Sequence, residues 1–197
     1  MYQVFGGLKS IFFKPIMNHQ YVDCFEVQGM EVVVNNTTIE FSGLLNEESS
    51  IEVIRKGLEQ AFANSKDKVI RLDFSKVKRA NSCGILAWYK ILDGFKDGKC
   101  IYVNVPRWLV EQFNISDFLS DKTLVESIQA NFYCPSNDTH ETLLLTLGKE
   151  IPILDNYDDF SLVLKNKDGL DLEIDFEPNE YFYFIASNSK RFKGEAA

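Results

Sequence analysis

Apolar and polar positions change rhythm three times along this chain. Between 25 and 41 the apolar residues come in short runs, 25–27, 31–34 and 38–41, broken by Gly29 and by Asn35-Asn36. Asparagine tolerates left-handed backbone, so the second break predicts a turn between strands. Ser42-Gly43 closes the third run, and Asn46 followed by Glu47 and Glu48 predicts a capped helix start. Ile51, Ile54, Leu58 and Phe62 then recur at helical spacing and predict one buried stripe on a helix over 46–62.

The next stretch alternates between the two periods. Val69, Ile70, Leu72 and Phe74 predict a buried strand over 69–74, followed by a helix over 82–95 that leaves through Gly94 and Gly98. Residues 99–105 put Ile101, Val103 and Val105 on one strand face. Pro106 suits the first turn of a third helix, over 106–118, with Trp108, Leu109 and Phe113 as its apolar face. A short strand over 123–129 follows. Strands alternating with helices after an initial hairpin predict an α/β fold, with a mixed, mainly parallel sheet covered by helices.

Beyond 130 the helical rhythm fades. Leu143, Leu144, Leu145 and Leu147 suit a strand or a helix equally. Phe160, Leu162 and Leu164, then Leu170, Leu172, Ile174 and Phe176, alternate with a period of two and predict a hairpin turning at 166–169. Tyr181-Phe182-Tyr183-Phe184 suits packing on the body or holding a ligand. The expected division is an N-terminal extension over 1–24, an α/β body over 25–130 and a small β-rich extension over 131–197.

Composition narrows the class. Hydrophobic residues make up 45% and charged residues 25% of 197, enough for a sizeable core. The formal net charge of −8 repels phosphate backbones and argues against a nucleic-acid partner. No apolar run reaches the ~18–20 residues needed to span a bilayer, so integral membrane insertion is not expected. Cys24, Cys83, Cys100 and Cys134 form no C-x-x-C pair and are expected as reduced thiols of a cytoplasmic protein. Residues 1–22 carry Lys9 and Lys14, no acidic residue, and Pro15 behind a four-residue run, which is not the order of a secretory signal. That segment is expected to pack on the body or fray, with a weak membrane-surface contact as the alternative, and Met17 is a second candidate start. No nucleophile triad, phosphate loop or metal cluster stands out, and His19 and His140 lie in no motif. The expectation is a protein without enzymatic activity or cofactor.

Leu72-Asp73-Phe74-Ser75-Lys76-Val77, then Asn81-Ser82-Cys83-Gly84 opening a helix, then 108–115 at a later helix and its exit, carry a resemblance. Over 25–129 the chain resembles the STAS domain family, shared by sulphate transporters and anti-sigma factor antagonists. The family has Asp-Ser-Ser-Gly where this chain has Asn81-Ser82-Cys83-Gly84. The resemblance implies a protein-interaction module whose partner is an anti-sigma-factor-type kinase, with Ser82 as phosphoacceptor and Asn81, Cys83 and Gly84 beside it in the docking surface. A small-ligand or lipid-handling module in a transport or membrane-associated complex is the alternative. Residue chemistry is compatible with the switch, because a helix N-terminus welcomes an anion and phosphate adds about −1.5 to −2 charge. It is equally compatible with Ser82 acting only as a helix cap, in competition with Asn81.

The segment 131–137 resembles the opening of a zinc ribbon that certain STAS-containing bacterial proteins carry at this place. The ribbon opens with Cys-x-x-Cys, whereas Cys134 here is followed by Asn137, and Lys165 and Asp168 stand where the second pair would be. A structural zinc wants four Cys or His ligands, so the expectation is a degenerate ribbon that has lost its cysteines and holds no metal. The sequence leaves the oligomeric state open.

Overall fold

The structure is a computed structural model and describes residues 23–27, 30–49, 51–95, 98–115 and 119–194; for 23–27 it describes the backbone alone. The expectations for 1–22 lie outside the described residues. The first sheet has six strands in sequence order: β1 (Asp23–Val27), β2 (Met30–Asn35), β3 (Thr38–Leu45), β4 (Val69–Ala80), β5 (Lys99–Val103) and β6 (Thr123–Val125). The first three are antiparallel and β3 to β6 run parallel. Helices α1 (Ile51–Asn64), α2 (Ser82–Asp93) and α3 (Arg107–Ile115) form the three crossovers.

Parallel crossovers are right-handed as a rule, and each of these three steps the same way along the sheet. All three helices therefore fall on one face. Met30, Val32, Val34, Ile39, Phe41, Ile70, Leu72, Phe74, Cys100 and Tyr102 point to that face and are buried. The opposite face carries Glu31, Glu40, Ser42, Arg71 and Asp73 and ties them together, with Ser42 bonded to Glu31, Lys76 to Glu40 and Arg71 to Glu126. Helices thus cover one face of this mainly parallel sheet, as expected, and the opposite face is polar. Alternation of Ile70, Leu72 and Phe74 with Arg71 and Asp73 is the cause.

The core between sheet and helices is aromatic. Trp88 stands edge-on to Phe41 and Phe74, and its indole N–H donates to the Tyr102 hydroxyl at 2.9 Å, so its one polar atom is satisfied. From α3, Phe113 meets Tyr102 and Trp108 donates to Val77 O at 3.0 Å. That bond occupies a carbonyl of β4 beyond the end of β5, whose pairing with β4 stops at Asp73↔Val103. Burial pushes the Cys100 thiol up to about 12, which makes it a packing residue rather than a nucleophile.

A second sheet has the order β8-β7-β10-β9, from β7 (Ser127–Cys134), β8 (Thr139–Thr146), β9 (Leu164–Lys165) and β10 (Asp171–Ile174), all antiparallel. Strand β7 follows β6 after one residue and still pairs with the first sheet: Val105 N–H donates to Ser127 O, and Gln129 N–H to Val105 O. Farther along, β10 takes over that side of β7, through Asp175 N–H to Asn131 O. Position 130 lies inside β7, and Ile128, Ala130, Phe132 and Cys134 belong to the same buried cluster as Phe74 and Trp88.

Several expectations change in detail. Asn46 does not cap α1: its side chain accepts from Glu48 N–H, Ser49 N–H donates to its carbonyl, and the helix begins at Ile51. Ile51, placed in the buried stripe, is consequently exposed at the helix start. Residues 143–147, open between strand and helix, belong mostly to β8. The hairpin turning at 166–169 is present, with Gly169 at φ +78, yet only Leu164–Lys165 of its first arm pairs. The aromatic run 181–184 packs: Tyr181, Phe182 and Phe184 are buried and Tyr183 is exposed, on the short helices α4 (Pro178–Tyr181) and α5 (Tyr183–Ala186), followed by α6 (Ser189–Phe192).

A shared core predicts shared unfolding. Phe132→Ala, in the second sheet, should cost about 3–5 kcal/mol. The loss should appear in urea unfolding followed by the fluorescence of Trp88 and Trp108, both in the first layer, as one transition at lower urea.

Candidate functional site

The strand-to-helix junction after β4 is built from four hydrogen bonds of Asn81 and the close approach of Gly84. Strand β4 overruns β5 and in its last turn of chain pairs only with β3, ending at Leu45↔Ala80. Asn81 then closes the strand by donating its N–H to Leu45 O at 3.0 Å. Its backbone is extended (φ −110°, ψ 172°), and its carbonyl accepts the first helical bond, from Ile85 N–H at 2.9 Å. Its side-chain oxygen accepts from Gly84 N–H at 2.9 Å, and its amide donates to Glu47 Oε2 at 2.5 Å. That bond holds the Glu47 carboxyl below its ordinary range. Asn81 is thus the helix cap, and the competition between Asn81 and Ser82 for that role goes to Asn81.

Gly84 explains the closeness of the packing. A Cβ added there would lie 2.2 Å from Leu45 O and 2.7 Å from Asn46 N, both backbone atoms that cannot move aside. Only glycine lets the first turn of α2 press against the end of β3. Gly84 is buried and presents no side chain to a partner.

Ser82 is the first helical residue and is exposed, and its hydroxyl engages no hydrogen bond among the described residues. Cys83 is exposed beside it. One turn on, Leu86 is 57% exposed, and Lys90 follows on the same side of the helix. Lys78 and Arg79 are exposed on the strand just before the junction. The four residues singled out from the sequence therefore come together, but with divided roles: Asn81 and Gly84 build the junction, Ser82 and Cys83 face out. Leu86 was missed. Its signal was present, because Gly84, Trp88 and Ile91 mark the buried side of α2 and leave 82, 86 and 90 outside.

Two other places carry chemistry. A cleft of about 620 Å³ is lined by Asn114, Asp155, Asn179, Glu180, Tyr183 and Ser187 among others. Asn114 shapes it: its amide donates to Glu180 O and Tyr181 O, and its oxygen accepts from Phe184 N–H at 2.8 Å. Because α3 runs back from the carboxyl ends of the parallel strands, this cleft and Ser82 belong to opposite ends of the sheet. At the ribbon-like place Cys134 is fully buried, and Asn166 accepts from Asp168 N–H and Leu170 N–H and donates to Glu141 Oε1 at 3.2 Å. Asn166 therefore ties the turn at 166–169 to β8. Among the described residues no group of three or more His, Cys, Asp or Glu gathers to hold an ion, and no helix is long and apolar enough to cross a membrane.

These features define a mixed α/β protein with a mainly parallel sheet, helices on one face and an attached antiparallel sheet. No family model matches the chain, and no curated protein matches it.

The division of roles at the junction has a measurable consequence. Asn81→Ala should cost about 0.5–2 kcal/mol by removing the cap. Ser82→Ala should stay within about 0.5 kcal/mol, as at an ordinary surface position. Gly84→Ala should exceed the roughly 1–3 kcal/mol of common overpacking, because the clash is with backbone. Chemical denaturation of the three variants reads out this order.

Proposed function

We propose that the chain is a non-enzymatic regulatory module of the STAS kind. It binds a protein partner through the exposed start of α2, and phosphate on Ser82 switches that binding off. The observation that carries this reading is the exposed hydroxyl of Ser82, unbonded among the described residues, on a junction that Asn81 has already capped. A modification there leaves every hydrogen bond of the junction in place. Added charge of about −1.5 to −2 lies at the positive end of the α2 dipole, which tolerates it in the isolated protein. A partner seated over Leu86 meets that charge and must desolvate it, so the cost falls on the complex.

The resemblance to anti-sigma factor antagonists points the same way. The order of strands and helices, the Leu72–Val77 strand passage and the Asn81–Gly84 junction support it. Asn81 in place of aspartate keeps the capping oxygen and adds a donor, which Glu47 uses. Cys83 in place of the second serine leaves the acceptor untouched. The partner implied is an anti-sigma-factor-type kinase, in the cytoplasm. The alternative, a small-ligand or lipid-handling module, would have to use the cleft at Asn114. Tyr183 and Ala186 line that cleft together with Asn114, Asp155, Asn179, Glu180 and Ser187, and most of its exposed lining is apolar, which suits a ligand with both apolar and polar parts.

Two substitutions test the switch against a partner captured with the parent chain from its native cell. Ser82→Ala should bind as the parent does. Ser82→Asp should keep the parent's melting temperature and lose binding by about tenfold or more, a factor worth roughly 1.4 kcal/mol. Leu86→Glu should weaken binding as well. Unchanged binding by a folded Ser82→Asp would remove the switch from the account.

A further inference from the structure

Strand β8 is the longest described sheet edge, and among the described residues no strand pairs with its outer side. The phase of its ladder follows from its end: Leu147 N–H donates inward to Glu126 O, whereas Thr146 N–H turns outward to Glu150 Oε2. In an antiparallel ladder these alternate, so the N–H and C=O groups of His140, Thr142 and Leu144 also point outward. No described residue bonds to them. The side chains do not cover them either, since the His140 ring bonds Asp175 Oδ2 and the Thr142 hydroxyl donates to Asn131 Oδ1, both reaching inward across the sheet. Natural edges are usually blunted by Lys, Pro or a bulge. Residues 139–146 contain neither Lys nor Pro, and the pairing of β8 with β7 runs through eight positions without a register shift.

We infer that β8 is a homodimer edge, pairing antiparallel with β8 of a second copy about a two-fold axis through Thr142. The free positions 140, 142 and 144 are symmetric about Thr142. A second copy in this register sets His140 opposite the second copy's Leu144 and Thr142 opposite the second copy's Thr142. All free groups on both edges are then used, in about six backbone hydrogen bonds. Thr–Thr pairs are favourable across strands, and the pairing sets Leu144, which is 51% exposed in the single chain, directly across from the second copy's His140. Neighbouring registers fail. Moving the axis to Glu141 sets two carboxylates directly opposite each other, which is destabilising. Moving it to Leu143 runs His140 into Thr146, whose outward groups the turn at 147–151 already holds. An unrelated strand would satisfy the same groups but has no reason to match this symmetry.

One strand pair buries less than the roughly 1,600 Å² of a standard interface. The dimer should accordingly be weak, populated near about 100 μM chain and dissociated near about 1 μM. Sedimentation or light scattering should show the mass rise from the 22.6 kDa of one chain toward twice that over this range. Thr142→Pro should abolish the rise with unchanged circular dichroism, because the lost N–H points outward and takes no part in the ladder. If that variant unfolds, Thr142→Cys in a Cys83→Ser background decides the matter. Facing Cα atoms of such a pair are about 5.5 Å apart, within disulfide reach, so mild oxidation should give a covalent dimer. A chain monomeric at all concentrations, a folded Thr142→Pro that still dimerises, or a dimer that Thr142→Cys does not cross-link would each overturn the inference.

Discussion

The fold depends on one stretch of backbone that serves two sheets. From Thr123 to Cys134 the chain runs as β6 and β7 with only Glu126 between them, first beside β5 and then beside β10. Glu126 itself is held by both layers, its N–H donating to Tyr102 O and its carbonyl accepting from Leu147 N–H. Side chains on this track face the same core as the helices. Apolar burial of this kind is the main favourable term in folding. The β-rich extension thereby gains stability from the α/β body, with which it shares one buried cluster. Asn114 adds a second tie, because α3 uses one side chain to hold three backbone groups of the C-terminal helices.

That rigidity matters for the surface at Ser82. A switch residue needs a fixed platform, so that added charge changes what a partner meets rather than how the protein is folded. Pressing α2 onto the end of β3 through Gly84 fixes the first turn, and Asn81 satisfies its backbone. The Ser82 hydroxyl makes no hydrogen bond among the described residues. An exposed serine of this kind is common, and the proposal for Ser82 rests on its place at the helix start beside the exposed Leu86.

Much of this could be read from residues. Ile54, Leu58 and Phe62 announced the buried side of α1, and the Asn81–Gly84 run announced the junction. Period-two alternation over 160–164 matches the observed burial, with Phe160, Leu162 and Leu164 turned partly inward. It does not reveal whether a neighbouring strand exists, and only Leu164 and Lys165 have one. The same limit hid the continuation of 123–129 into β7, because pairing partners lie far off in sequence. At Asn46 the local signal was genuine but served a turn, since Ser49 supplied a competing bond to Leu44 O. At Ser82 the residues could not say which of two adjacent caps would win. That choice depends on the approach of Leu45, at the end of β3, and of Glu47 in the turn after it.

The central claim is that Ser82 is a modification site and not a packing detail. Trypsin cleavage after Arg79 and Lys90 releases it in the peptide 80–90. Mass spectrometry of that peptide, from chain isolated from its native cell in several growth states, is the most direct test. The account predicts phosphate on Ser82 in at least one state. Peptide 80–90 recovered in every state with Ser82 unmodified would contradict it.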